Sequence, residues 1–97
     1  MIVRATIEGI CVGVEPKMEY VDGARTDRQA FRDGLPLWSV SVLGENERFA
    51  QRVTIAAKAA PGLLFGQRII FPDAECSTAW VRASRVENAG VSAEDFE

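Results

Sequence analysis

The sequence predicts an all-β domain, a small five-stranded OB-like Greek-key barrel, on three observations. Apolar and polar residues alternate with a period of two along most of the chain, no window carries a helical stripe, and the first and last strand-like segments are long. Long outer strands, with a short irregular link between the third and fourth, suit a barrel that closes on itself and leaves no edge exposed. SH3-like barrels and small sandwiches satisfy the same alternation, because alternation carries no strand order.

The elements follow in sequence. Ile2 to Val14 reads as a long first strand, with Gly9 and Gly13 as places to bulge or bend, and Pro16 closes it. Glu15 to Gly34 is too long and too polar for a tight turn. It predicts a charged loop or a hairpin arm after the first strand, with Asp22-Gly23 as a hairpin tip. Pro36 to Leu43 is the second strand, on which Trp38, Val40 and Val42 share one face and Ser39 and Ser41 the other. That parity places Trp38 toward the core. "GENE", Gly44 to Glu47, reads as a turn. Arg48 to Ala57 is the third strand, with Phe49, Val53 and Ile55 inward and Arg48, Arg52 and Thr54 outward. "KAAPGLLFG", Lys58 to Gly66, holds Pro61 and Gly62 and so admits a turn or two of helix at most. Gln67 to Phe71 is a short fourth strand, "PDAE" a turn, and Cys76 to Glu87 a long last strand. On that strand Ala79, Val81 and Ala83 form a small apolar face. The pattern leaves open whether Trp80 faces the interior or lies outside beside Arg82.

A length of 97 residues is enough for one core and too little for two, and the 47% apolar share lets the chain fold on its own. One domain is expected over residues 1–87, followed by an acidic flexible tail over 88–97. No stretch approaches the roughly 20 apolar residues of a membrane helix, and "MIVRATIEG" has no signal-peptide pattern. A cytoplasmic protein without a membrane partner is expected. Cys11 and Cys76 read as two buried free thiols.

Catalysis has little to work with. There is no histidine, no CxxC pair, no zinc-ligand spacing and no phosphate-binding glycine fingerprint, so no enzyme, cofactor or metal is expected. Glu45 and Glu47, like Asp73 and Glu75, fall in turn-like segments where solvated carboxylates are the ordinary explanation.

Surface chemistry is more informative. The formal net charge of −3 argues against a strongly basic nucleic-acid binder, yet residues 48 to 85 carry six basic side chains against Asp73 and Glu75. Nine of the eleven basic residues are arginine, whose planar fork suits phosphates and bases. Single-stranded nucleic acid is bound by barrels that combine cations with exposed aromatic rings, for phosphates and unstacked bases respectively. The candidate nucleic-acid-binding residues are therefore Tyr20, Arg25, Arg28, Phe31 and Arg32 in the loop, Arg48 and Arg52 on the third strand, and Trp80 and Arg82 on the last. The competing reading of the loop pairs Arg28 and Arg32 with Asp27 and Asp33 and uses Phe31 as an anchor to the barrel.

"DGLPLWSVSVL" (Asp33 to Leu43), "VTIAA" (Val53 to Ala57), "PGLLFGQRIIF" (Pro61 to Phe71) and the last strand occur in an order that is similar to a family from actinobacterial mobile elements, the plasmid replication, integration and excision activators, over roughly residues 26 to 86. More distantly, a long first strand, a charged arm and a Gly-x-Pro entry to the next strand resemble the gene V type single-stranded-DNA-binding proteins of filamentous phages. These resemblances imply a DNA-processing role, single-stranded DNA as partner and possible homodimers. The tail "AEDFE", Ala93 to Glu97, distantly resembles the acidic, Phe-containing tails by which bacterial single-strand-binding proteins recruit others, although here Phe96 is not terminal. The alternative is a protein-interaction module that docks a replication or recombination protein and binds no nucleic acid.

Overall fold

A computed structural model describes residues 1–88; apart from Asn88, the segment expected to be an acidic tail lies outside the described residues. Among the described residues there are β-strands and no helix: β1 (Val3–Pro16), β2 (Met18–Val21), β3 (Ala24–Gln29), β4 (Phe31–Arg32), β5 (Leu35–Leu43), β6 (Gln51–Ala56), β7 (Arg68–Cys76), β8 (Val81–Ala83) and β9 (Glu87–Asn88). Five of them close a barrel in the order β1-β5-β6-β8-β7 and back to β1. Every pairing around the ring is antiparallel except β6 with β8. The late strand β8 is thus inserted between β6 and β7, an OB-like Greek-key order.

The length of β1 is what allows closure. Its first half pairs with β7 and its second with β5, and Ile10 partners both Arg68 and Leu43 at the changeover. The backbones crowd there. A Cβ on Gly9 would stand 2.4 Å from the Leu43 carbonyl oxygen, so no larger residue fits without moving β5. A register shift between Cys11 and Gly13 adds a bulge just beyond, which sharpens the bend.

The core is a close set of Cys11, Val40, Val42, Val53, Ile55, Ile69, Phe71, Ala74 and Ala83. Strand alternation accounts for all of these except one change of phase. Ile69 and Phe71 point inward and so does Ala74, because Pro72 and Asp73 together face Thr6 of β1 in a bulge. Proline is tolerated at a bulge, where the ladder does not require its missing N–H, and Thr6 Oγ1 donates to the Pro72 carbonyl at 3.2 Å. "PDAE" therefore belongs to β7 and is no turn. Strand β7 extends to Cys76, five residues past the expected end at Phe71.

The last strand is also shorter than the alternation suggests. Ser77 breaks it: its hydroxyl accepts from the amides of Ala79 and Trp80 at 3.1 Å, and its own amide donates to the Trp80 carbonyl at 2.9 Å. This tight turn leaves three residues for β8, which nevertheless buries Ala83 as the small apolar face predicts. Strand β6 begins at Gln51 instead of Arg48, since its last partner is Val42 and residues 48–50 are spent leaving the Gly44–Glu47 turn. Phe49, expected to point inward, is 83% exposed.

The charged segment after β1 holds two hairpins. Asp22 and Gly23 both have positive φ, 54° and 80°, and join β2 to β3 in a two-residue turn of the type that matches strand twist. Asp33 and Gly34 repeat the device at 54° and 82° and fold β4 onto β5. Backbone bonds from Ala30 N to Lys17 O (2.7 Å), Lys17 N to Leu37 O (3.0 Å) and Leu37 N to Ala30 O (2.8 Å) tie the foot of the first hairpin to the barrel. Trp38 is half-buried against the core, and its indole N–H donates to the Ala57 carbonyl at 3.0 Å. Both cysteines are free thiols, Cys11 buried and Cys76 partly so. No described helix is long and apolar enough to cross a membrane.

Candidate nucleic-acid interface

The end of the barrel where β1 stops and β5 starts collects three structures that are distant in sequence. They are the β2–β3 hairpin, the outer face of β5 and β6, and the Ser77–Trp80 turn between β7 and β8. Between them lies a hollow of about 260 Å³ lined by Lys17, Tyr20, Arg25, Arg52, Thr54 and Trp80 among others. Each side chain arrives there for a local reason. Tyr20 and Arg25 are direct cross-strand partners in the hairpin and so share a face. Arg52 and Thr54 are two apart on β6, hence on one side. Trp80 is set by the Ser77 turn.

Lys17 forms the floor. Its Nζ donates to Thr54 Oγ1 at 3.0 Å, which satisfies a buried hydroxyl and holds the ammonium inside the cleft. Thr54 is the register partner of Arg82, and a second hollow, lined by Lys17, Arg32, Leu37, Thr54, Trp80 and Arg82, continues from the first across that pair. The Arg82 guanidinium lies 4.2 Å from the centroid of the Trp80 ring, within the range of a cation–π contact.

The electrostatics are uneven. Ion pairs among the described residues involve Arg4, Arg82 and Arg85; Lys17, Arg25, Arg32 and Arg52 enter none of them. The pairs Arg28–Asp27 and Arg32–Asp33 are absent. On the far side of Arg82, Arg4 bridges Asp73 at 2.9 Å and Glu75 at 3.0 Å. The hydrogen bond to Asp73, with the charges of both carboxylates, raises the Arg4 pKa. No cluster of metal-ligating side chains occurs among the described residues.

Of the nine candidates, the fold gathers Tyr20, Arg25, Arg52 and Trp80 around the first hollow and Arg32 and Arg82 around its continuation. It leaves three elsewhere. Arg28 is exposed on β3 and lines neither hollow. Phe31 is 62% exposed, opposite Pro36 on the β4–β5 hairpin, and lines neither hollow. Arg48 sits beside Phe49 past the β5–β6 turn, at the opposite end of the barrel, and does not lie on the outer face of a strand. Lys17 is the residue sequence reasoning missed. Its signal was present: a lone lysine directly after the proline that ends β1, at the root of the arm.

Searches against protein-family models, curated proteins and solved structures find no match to this chain.

Proposed function

We propose that this cleft binds single-stranded nucleic acid, with single-stranded DNA as the leading substrate, and that the protein is a non-catalytic accessory of DNA replication in a phage or mobile element. The observation that supports this reading most strongly is the convergence of Lys17, Arg25, Arg32 and Arg52, none in an ion pair among the described residues, around the rings of Tyr20 and Trp80. Cations without carboxylate partners attract phosphates, and the exposed ring of Tyr20, with the half-buried Trp80 across the hollow, offers unstacked bases a flat surface. The strand-and-loop face used is the one on which five-stranded OB-like barrels bind oligonucleotides. The DNA-processing role follows from the resemblance of residues 26 to 86 to the mobile-element family. A cytoplasmic location and pairing into a homodimer belong to the same reading.

Fluorescence polarisation with a labelled thirty-nucleotide single strand and its duplex tests it. Binding that prefers the single strand at about 50 mM salt and weakens steeply as salt rises is the expected result. Absence of binding at that salt overturns the proposal.

A second reading, a module that docks a replication or recombination protein, is favoured by a different surface. Ile10, Leu64 and Phe65 are exposed together along a groove with Gln67 and Arg68, and contiguous apolar surface of this kind often marks a protein contact. Recovery of a stable partner by a chain that binds no oligonucleotide selects this alternative.

A further inference from the structure

We propose that Arg32 and Arg82 form a phosphodiester subsite at the far end of the groove, and that Glu75 is the positioning residue that holds Arg82 ready for it. This inference rests on the cleft reading above and extends it beyond the hairpin. A third hollow, lined by Arg4, Arg32, Asp73, Glu75, Arg82, Ala83 and Ser84, shares Arg32 and Arg82 with the second. The second in turn shares Lys17, Thr54 and Trp80 with the first. A strand that leaves Tyr20 and Arg25 and passes Trp80 therefore meets these two arginines next.

An acidic residue at an anion site needs a reason, and register supplies one. Arg4, Glu75 and Arg82 are consecutive cross-strand partners on β1, β7 and β8. Glu75 Oε1 accepts from Arg82 Nε at 2.9 Å, and Oε2 accepts from Arg4 at 3.0 Å. Both carboxylate oxygens are thereby engaged by guanidinium groups. The bond to Nε grips Arg82 at its inner edge and keeps the plane over Trp80, while its two terminal nitrogens have no hydrogen-bond partner among the described residues. Those nitrogens form the edge that chelates a phosphate. The charges of Arg4, Arg82, Asp73 and Glu75 balance, so Arg82 contributes directed donors and Arg32 the net positive charge. Trp80, which borders both the first and the second hollow, carries Arg82 over its ring.

The sign of the Glu75 effect separates positioning from plain electrostatics. Removal of an acid near a phosphate tightens binding if charge alone matters; removal of a clamp weakens it. Polarisation titrations with an oligothymidylate compare wild type with E75A, E75Q, R82A and the E75A/R82A pair, each checked for native circular dichroism. E75A is expected to lower affinity about five- to tenfold. E75Q, whose amide oxygen still accepts from Nε, is expected to stay within about twofold, and the double variant to match R82A, as coupled residues do. E75A that binds as tightly as wild type or tighter overturns the subsite while the cleft reading stands. No binding by wild type overturns both.

Discussion

Arg52 and Arg48 lie four residues apart, and the alternation of the third strand treats them alike. The fold does not: Arg52 borders the cleft, whereas Arg48 stands at the other end of the barrel. Substitution of each by alanine should therefore separate them. Arg52→Ala is expected to weaken single-strand binding several-fold and to reduce the slope of log affinity against log salt by about 0.7, the share of one phosphate contact on a single strand. Arg48→Ala should leave both unchanged, and equal losses from the two variants would place the strand elsewhere. Gly9 makes a different demand at the same scale. Because a Cβ there meets the Leu43 backbone, Gly9→Ala should destabilise the fold by about 1–3 kcal/mol in urea titration, the usual cost of forcing atoms into a filled space.

At the scale of elements, the β2–β3 hairpin is joined to the barrel at its foot by backbone bonds through Lys17, Ala30 and Leu37, and contributes no residue to the core. Replacing Glu19 to Arg28 with an Asn-Gly turn should therefore leave thermal unfolding cooperative and close to that of the full chain. The same variant should lose most of its single-strand affinity, since Tyr20 and Arg25 go with the hairpin. A truncated chain that unfolds at a much lower temperature would show the hairpin to be structural. Its turn is a separate matter: Gly23→Ala forces an L residue into positive φ and is expected to cost about 1–2 kcal/mol of local order, visible as faster amide exchange in β2 and β3.

For the whole molecule, the formal net charge of −3 would by itself disfavour a polyanion. Distribution outweighs the total, because charges separated by more than a Debye length of about 10 Å at 0.1 M salt are largely screened. Lys17, Arg25, Arg32, Arg52 and Arg82 border one continuous groove. If all five meet phosphates, the salt slope for the wild-type chain should be roughly −3 to −4. A slope near zero would assign any binding to stacking or to non-ionic contacts.

Local chemistry alone carried the all-β class, the inward faces of Val40, Val42, Val53 and Ile55, the Gly44–Glu47 turn and the Asp22-Gly23 tip, because period-two alternation and turn residues act over a few neighbours. Asp33-Gly34 carries the same signature, but the second hairpin it makes was not expected from the sequence. Elsewhere the tertiary structure decided. Whether Pro72 ended a strand or sat in a bulge depended on Thr6 across the ladder, and the phase of Ala74 depended on that bulge. Whether Arg48 and Arg52 belonged together depended on where β6 ran out of partners on β5. The cleft is the clearest case. Lys17, Arg52 and Trp80 approach one another because β8 is inserted between β6 and β7, and strand order is a property of long-range pairing that no local pattern encodes.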